Sequence, residues 1–440
     1  MGIYFGKSAN PLEWNKHMDC AKLVWYNMCM KSILKKLKIW GIKGVWDFLL
    51  RKLDDRRLRK FLAENARRFP LSPQEGITLL ADMTDQSSLS KVMRDLAFAL
   101  RRAGLPFQAF DLHPRHHVPS ADADGILTPP DKFRLLKYDN IIEMYSSPLP
   151  KGLPIRRSRV VFWEFTTGLL EYFPSVFDNV STIVAMSDFN CESFRMMTQN
   201  RVDVRKVLYP FFFDDAPVPD KSTTRVKYGI PKDAFVVFFN FSYDSSFNRK
   251  NPEGSVRAFA KAFSTDGNAC LVFKTKGAEQ HRLEREKLLS LANSLNIGKQ
   301  IVMIDDYIPQ HDIYGLTNAC DVYLSLHRGE GFGLGIAEAM SLAKPVVATD
   351  YSSTTEFCRP ETSIPVPYSI VKVPDDMHDN PCYSAVKEWA EPDIEAAAAA
   401  LLRLRNDPVL RERMGLSAKT FMASHFSIDS FRESIKAFLQ

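Results

Sequence analysis

The rhythm of apolar and polar positions changes twice along this 440-residue chain. Between residues 31 and 62, Ile33, Leu34, Leu37, Trp40, Val45, Trp46, Leu49, Leu50 and Leu53 recur mostly at spacings of three and four, which predicts a pair of amphipathic helices. From residue 75 the pattern becomes strand, loop, helix, strand. "ITLLA" (77–81) reads as a strand, Leu89 to Leu100 as a helix stopped by Gly104, and "RVVFWEF" (159–165) and "STIVAMS" (181–187) as further strands. "YPFFFDDAPVPDKST" (209–223), rich in Pro and Asp, reads as a linker. A second alternating series follows. It runs through "AFVVFFNF" (234–241), a helix from Pro252 to Phe263, "CLVFKTK" (270–276), a helix near 280–295, "QIVMIDDY" (300–307), "DVYLSL" (321–326) and "KPVVATD" (344–350), and the chain ends in a helix, "SIDSFRESIKAFLQ".

Two successive β/α series predict an α/β protein of two doubly wound, Rossmann-like domains facing a cleft. The expected divisions are a basic helical extension over 1–70, a first domain over 75–215, a second over 216–422, and a C-terminal helix over 423–440 that packs back on the first domain. Composition adds little to that picture until charge is located. The formal charge is +6, but residues 1–70 hold 16 Lys and Arg against 6 Asp and Glu, a local net of +10 that leaves −4 for the other 370 residues. A basic amphipathic stretch with Trp and Leu suits an anionic membrane surface; docking on the protein itself or on a second copy stays open beside it. Nucleic acid is not expected, because no binding module accompanies the charge. Seven scattered cysteines, none spaced as C-x-x-C, point to a reducing compartment without a disulfide frame. Neither a long apolar run nor a basic start with an apolar stretch is present. A cytoplasmic protein is therefore expected, peripheral on the inner face of the cell membrane if the extension docks there.

The chemistry concentrates in "HRGEGFGLGIAE" (327–338), between a strand and a helix. Gly331, Gly333 and Gly335 let the turn present bare backbone N–H groups and a helix N-terminus to the cleft, which is phosphate-binding geometry. The G-x-G-x-x-G spacing of dinucleotide enzymes fails, since the sixth position from Gly331 is Ile336. Glu330 and Glu338 bracket the turn eight positions apart, so both carboxylates can border one cleft and accept hydroxyls. The plainer reading makes them a loop acid and a solvated helix-terminal acid.

"EGFGLGIAEAMSLAKPVVATDYSSTTEF" (330–357) closely resembles the Glu-x7-Glu signature of family 4 (group 1) retaining glycosyltransferases of GT-B fold. "SLHRGEGFGL", "RKNP" and "VVFWEF" are similar to the bacterial mannosyl- and rhamnosyltransferase-like branch of polysaccharide and O-antigen assembly. The resemblance spans roughly residues 75 to 440. It implies that Glu330 contacts the donor sugar's hydroxyls, that Glu338 holds the ribose, and that the backbone of Gly331, Phe332, Gly333 and Leu334 lies at the donor, with Gly333 and Leu334 at the distal phosphate. It also implies that Lys250, in "NFSYDSSFNRKNPEG" (240–254), faces the diphosphate. Relatives often carry an arginine where this chain has Ser245; Arg249 either substitutes for it or faces solvent. Lys274 either reaches the cleft or is a solvated strand-end lysine. Glu164 in "FWEF" either serves the acceptor or donor side or is structural.

Two departures from the family pattern bear on activity. The glycine-rich turn expected after the first strand is "DQSSLS" (85–90), putting Ser87 and Ser88 at the first-domain site, and the usual Tyr-Ser-Gly-Asn is Tyr351-Ser352-Ser353-Thr354. No cofactor is expected, nor a metal: Asp122-x-Asp124 sits in a polar loop, and His113, His116 and His117 lack further ligands. The implied activity moves a sugar, with mannose from GDP-mannose favoured, from a nucleotide-diphosphate donor to a glycan or lipid-linked acceptor. The other class of function is a non-catalytic, membrane-associated GT-B scaffold or partner subunit, for which the serine loop speaks and the Glu330, Glu338 and Lys250 set does not.

Overall fold

The computed structural model describes residues 76–84, 87–112, 125–128, 138–144, 155–209, 211 and 218–440, together with Leu53, Arg56 and Lys60. The basic extension expected over 1–70 therefore lies almost wholly outside the described residues.

Two six-stranded parallel sheets carry the described chain. The first comprises β1 (Ile77–Ala81), β2 (Phe107–Asp111), β3 (Asn140–Met144), β4 (Arg156–Val160), β5 (Thr182–Ala185) and β6 (Asp203–Lys206), in the order β2-β1-β3-β4-β5-β6. The second comprises β7 (Phe235–Ser242), β8 (Ala269–Lys276), β9 (Ile301–Ile304), β10 (Val322–Ser325), β11 (Val346–Thr349) and β12 (Ile364–Val366), ordered β12-β11-β10-β7-β8-β9. Central strands such as β7, "FVVFFNFS", are almost continuously apolar because helices cover both faces. The expectation of two doubly wound α/β units holds.

Strand order locates the cleft before any side chain is considered. In a doubly wound sheet the crevice opens where the order reverses, outside the carboxyl ends of the strands. The first sheet reverses between β1 and β3, and the second between β7 and β10. The segments leaving β7 and β10 are the Lys250 turn and the glycine turn, and the segment leaving β1 is the serine loop. Three stretches far apart in sequence thus start at two switch points.

Several elements depart from the sequence reading. Strand β4 ends at Val160, so Phe162 to Phe165 leave the sheet; β3 and β6, the latter with the polar sequence "DVRK", were not anticipated. An antiparallel hairpin, β13 (Tyr368–Lys372) with β14 (Glu388–Pro392), follows β12 and was also unanticipated. The supposed linker starts as core: Tyr209 and Phe211 are buried, and the Tyr209 ring lies 4.6 Å from that of Phe332. Aromatic side chains that bridge two units are buried like any others, whatever prolines follow them.

The helix Ile428–Leu439, capped by Ser427, lies against the first sheet. Arg205 donates to the Phe438 carbonyl at 3.0 Å, the Leu208 N–H to Ser434 Oγ at 2.9 Å, and Arg432 to the Ala103 carbonyl at 3.2 Å. No helix among the described residues is long and apolar enough to cross a membrane.

Candidate active site

The Lys250 turn is built by residues that tolerate left-handed backbone. After β7, Ser246 has φ +73° and Asn251 φ +52°, with one helical turn, Phe247–Lys250, between them. Asparagine visits this region at low cost because its amide bonds locally. Here the Asn251 carbonyl oxygen accepts from the Gly254 N–H and so caps the helix Pro252–Phe263, with Pro252 at its first position. The same side chain donates to the Leu326 carbonyl at 2.9 Å, tying this turn to the exit of β10.

The glycine turn packs against the first domain. A Cβ on Gly329 would lie 2.8 Å from the Glu164 carbonyl oxygen, so only glycine permits that approach. Gly333, at φ +94°, starts the helix Leu334–Ser341, and no side chain caps it. A Cβ there would also meet Thr354 Cγ2 at 2.6 Å. The first N–H groups of this helix are therefore donors without a side-chain cap at the carboxyl end of β10.

Between the two turns sits a buried ionic cluster drawn from both domains. Lys250 Nζ pairs with Glu330 Oε1 at 2.5 Å; Arg249 lies 3.6 Å from Glu330 Oε2 and 3.6 Å from Glu164 Oε1. Arg249 also donates to the Gly329 carbonyl at 2.7 Å and the Ser245 carbonyl at 2.8 Å. Arg249 is 3% exposed, which removes the solvent-facing alternative and makes it the bridge between Glu164 and Glu330. Burial works against the Glu330 carboxylate, but the Lys250 and Arg249 charges win and hold its pKa down to about 2. Burial pulls the Lys250 ammonium below its ordinary value, with Glu330 resisting and Arg249 adding to the fall. Burial likewise raises Glu164, against the Arg249 charge.

His327 is fully buried, its pKa lowered by burial to about 4, and is therefore neutral. Its Nε2 lies 3.2 Å from Thr354 Oγ1, while Nδ1 and the Arg249 Nε have no hydrogen-bond partner. Buried polar atoms without partners are costly and rare.

Glu338 falls in the second turn of its helix and is 4% exposed, so it is not the solvated acid of the plainer reading. Gln310 Nε2 donates to it at 3.0 Å. Burial raises its pKa to about 7, with the Lys91 charge opposing and Asp95 adding. Lys91 and Asp95, paired at 2.7 Å, come from the first-domain helix Ser88–Arg102, whose N-cap is Ser87. Ser88 is exposed at the helix start, and Asp85 and Gln86 lie outside the described residues.

Lys274 stands apart from the Glu330 cluster. It is buried rather than solvated, donates to the Thr275 carbonyl, and is lowered by burial to about 8 in spite of Asp305 and Asp306. The Tyr351–Thr354 segment wraps the glycine turn: Ser352 Oγ accepts from the Glu330 N–H at 2.8 Å, and Ser353 Oγ accepts from first-domain Ser187 at 2.8 Å. Ser187 also caps the helix Asp188–Thr198. Among the described residues no group of three or more His, Cys, Asp and Glu is arranged to hold a metal; His113, His116, His117, Asp122 and Asp124 lie outside them.

Two residues near Glu338 and the glycine turn escaped the sequence reading. Lys91 lies one position beyond the serine loop, so proximity in sequence was its only signal. Arg328, inside the glycine turn, is gripped by Glu391 through two hydrogen bonds of 2.6 and 2.9 Å and donates to the Asn248 carbonyl at 2.5 Å.

Comparison with known proteins bears on the fold and on the second sheet's segment. A curated relative, D-inositol 3-phosphate glycosyltransferase 1 of Catenulispora acidiphila, is 30% identical over 133 residues, 29% of this chain and 31% of that protein, so the match spans about a third of the relative's length. Among solved structures, Anabaena HepE in complex with UDP and glucose is similar at TM-score 0.56 and 14% identity, covering 83% of this chain and 99% of that one. Sucrose-phosphate synthase from Thermosynechococcus elongatus gives 0.57 and 15%, covering 83% and 98%. WaaG, a glycosyltransferase involved in lipopolysaccharide biosynthesis, gives 0.54 and 13%, covering 82% and 98%. At such identities the likeness speaks for fold alone. Residues 220–366 match the family model described as Glycosyl transferases group 1. The chain thus has the two-sheet GT-B architecture, and its residues 220–366 are similar to the glycosyl transferases group 1 family.

Proposed function

We propose that this protein is a retaining, metal-independent glycosyltransferase that moves a sugar from a nucleoside-diphosphate donor to a glycan or lipid-linked acceptor, with GDP-mannose the favoured donor. The observation that carries the reading is the juxtaposition of Lys250, Arg249 and Glu330 with the uncapped helix Leu334–Ser341 at a strand-order reversal. Such a site supplies what transfer from a diphosphate needs. Fixed positive charge and oriented N–H groups face the leaving group, and carboxylates face hydroxyls.

In this scheme the diphosphate lies on the Gly333 and Leu334 amides, and Lys250 exchanges its pairing with Glu330 for a diphosphate oxygen. Glu330 then accepts from the donor sugar's hydroxyls, with Gly331 and Phe332 shaping the floor beneath, and Glu338 accepts from the ribose. The bond from C1 to the phosphate oxygen breaks, and the bond from C1 to the acceptor oxygen forms on the same face. The acceptor's proton passes to the departing phosphate oxygen, so no protein general base is required. Glu164, with Ser87 and Ser88, belongs to the first-domain side, and Lys274 to the rim of the donor site. The orphaned Nδ1 of His327 and Nε of Arg249 would gain partners when the donor fills the cleft.

The test is a screen of nucleotide sugars for release of nucleoside diphosphate without acceptor, followed by the anomeric configuration of the product. Turnover of one donor with retained configuration is expected. Absence of turnover with every GDP-, UDP- and dTDP-sugar would overturn the reading.

Glu338 gives this scheme a pH dependence. An acid raised from 4.5 to about 7 is mostly protonated at pH 6 and mostly ionised at pH 8. The carboxylate is the stronger hydroxyl acceptor, by roughly 1 kcal/mol. Nucleoside-diphosphate affinity should therefore rise about three- to fourfold between pH 6 and 8 beyond what the nucleotide's own ionisation contributes. Calorimetric titration of Glu338→Gln should lose that extra rise, and Glu338→Ala should weaken binding at both pH values. Unchanged affinity in Glu338→Ala would mean that the ribose lies elsewhere.

The basic extension is proposed to hold the protein on the inner face of the cell membrane. Removal of residues 1–70 should lower partition onto phosphatidylserine vesicles by at least about a hundredfold at low salt, the effect of as few as three of its basic residues near the surface at about 1 kcal/mol each. Equal partition of the shortened and full chains would refute the membrane role.

A further inference from the structure

The excursion between β12 and the helix Ile394–Asn406 belongs to the second domain by sequence, yet much of its core belongs to the first. Val373, Val386 and Trp389 are buried in one cluster with Val161, Trp163, Phe165 and Leu169. The Tyr383 ring lies 5.3 Å from Trp163 and 5.6 Å from Phe165, and its hydroxyl hydrogen-bonds Glu164. A Cβ on Gly168 would strike Val386 at 2.8 Å, which shows how closely the strap lies against the first domain.

From this anchorage the strap reaches both turns of the proposed donor site. Asp379 is exposed, yet both of its carboxylate oxygens are engaged: Oδ1 accepts from Ser246 Oγ at 2.6 Å and Oδ2 from the Asn248 N–H at 2.9 Å. The Met377 carbonyl accepts from the Asn248 side chain at 3.1 Å, and Asn380 donates to the Asp244 carbonyl at 3.0 Å. Ser246 is a non-glycine residue at φ +73°, ψ 109°, a conformation that persists only where its surroundings hold it. Its hydroxyl accepts from the Arg249 N–H at 3.1 Å while donating to Asp379. Further along, Tyr383 lies under the Arg249 guanidinium at 5.3 Å, and Glu391 grips Arg328 of the glycine turn.

We propose that this strap, acting through Asp379, sets the position of Lys250 and Arg249 relative to Glu330, so that Asp379 is a positioning residue for the diphosphate-facing turn. The proposal rests on the transferase reading for its functional consequence, though not for its geometry. With its carboxylate removed, the Ser246 backbone loses the latch that holds it in the left-handed region, and Lys250 leaves its buried pairing with Glu330. The first domain fixes the strap and the strap fixes the turn, so ordering of the donor site is coupled to the contact between domains.

Two readouts test this on the full chain, using Asp379→Ala and the milder Asp379→Asn. The first is the rate of Lys250 acylation by an amine-reactive ester, followed by peptide mass spectrometry. Asp379→Ala should raise it about tenfold, the equivalent of losing one hydrogen bond to a charged group, and Asp379→Asn by less, with the melting temperature within a few degrees of the parent. The second is donor turnover, where kcat should fall about tenfold with little change in donor KM. Unchanged Lys250 labelling in both variants would overturn the proposal. If the parent chain turns over no donor, the transferase reading fails, and the labelling result still decides whether the strap positions Lys250.

Discussion

Replacing Lys250 by alanine should lower kcat/KM for donor turnover by two to three orders of magnitude, the usual cost of removing one preorganised group that meets developing negative charge. The loss should fall mainly on kcat, because the diphosphate carries more charge as it departs than when bound as donor. Lys250→Arg should recover little. A guanidinium is a planar fork rather than a compact ammonium, and it would be set beside Arg249, a like charge already 3% exposed. Stability should fall by about 1–2 kcal/mol rather than the full cost of breaking a buried pair, since Glu330 loses its nearest cation but keeps Arg249 within 3.6 Å. Steady-state kinetics with the best donor from the screen checks this; a Lys250→Ala protein of undiminished kcat would remove Lys250 from the mechanism.

The second large effect is expected at Glu330, where stability and activity should fall together. Its carboxylate lies between two cations, and Glu330→Ala leaves Lys250 and Arg249 facing each other with Glu164 the nearest remaining carboxylate. Breaking a buried pair from one side costs about 3–5 kcal/mol. Lys250, with 17% of its side chain exposed, can turn toward water and relieve part of that, so about 2–3 kcal/mol is expected, read as a fall in denaturation midpoint. Glu330→Gln should cost less stability but as much activity, because an amide cannot replace the charge that sets Lys250. The pH dependence has a definite sign. The folded-state pKa, about 2, is depressed below the ordinary 4.5, so the stabilisation from Glu330 is complete above 4.5 and is lost as the pH falls toward 2. The Glu330→Gln protein should lack that part of the acid transition.

Much of the second domain could be read from the sequence because its signals are local. Strand β7 is a continuous apolar run, and the helix Pro252–Phe263 begins at an Asn-Pro cap and runs over the interval its periodicity indicates. The edge strand β6, "DVRK", has no such signal, and "RVVFWEF" looked like one strand because apolar residues continue past Val160. Phe162 to Phe165 are apolar for another reason: they leave the sheet to meet the glycine turn and the strap. The linker reading of 209–223 wrongly took in Tyr209 and Phe211 for the same cause, since burial between domains leaves no periodic trace.

The proposed site shows the same division. Glu330, Gly333 and Glu338 lie within one short segment, and their spacing carried the expectation. The partners that decide their charge states are remote. Lys91 and Asp95 face Glu338 from the first domain, and Asp379 and Glu391 reach the two turns from the strap. No periodicity links such residues, because their meeting depends on two sheets being set against each other. The serine loop, which raised the scaffold alternative, has its described part in a helix cap: Ser87 accepts from the Ser90 N–H.

The central claim is that the cleft between the two sheets takes a nucleoside diphosphate. The most direct measurement is calorimetric titration of the full chain with GDP, UDP and dTDP in the absence of added metal. Saturable one-to-one binding of at least one of them is predicted, weakened at least tenfold in Lys250→Ala and in Glu338→Ala. No heat of binding with any of the three, together with no change in melting temperature, would contradict it.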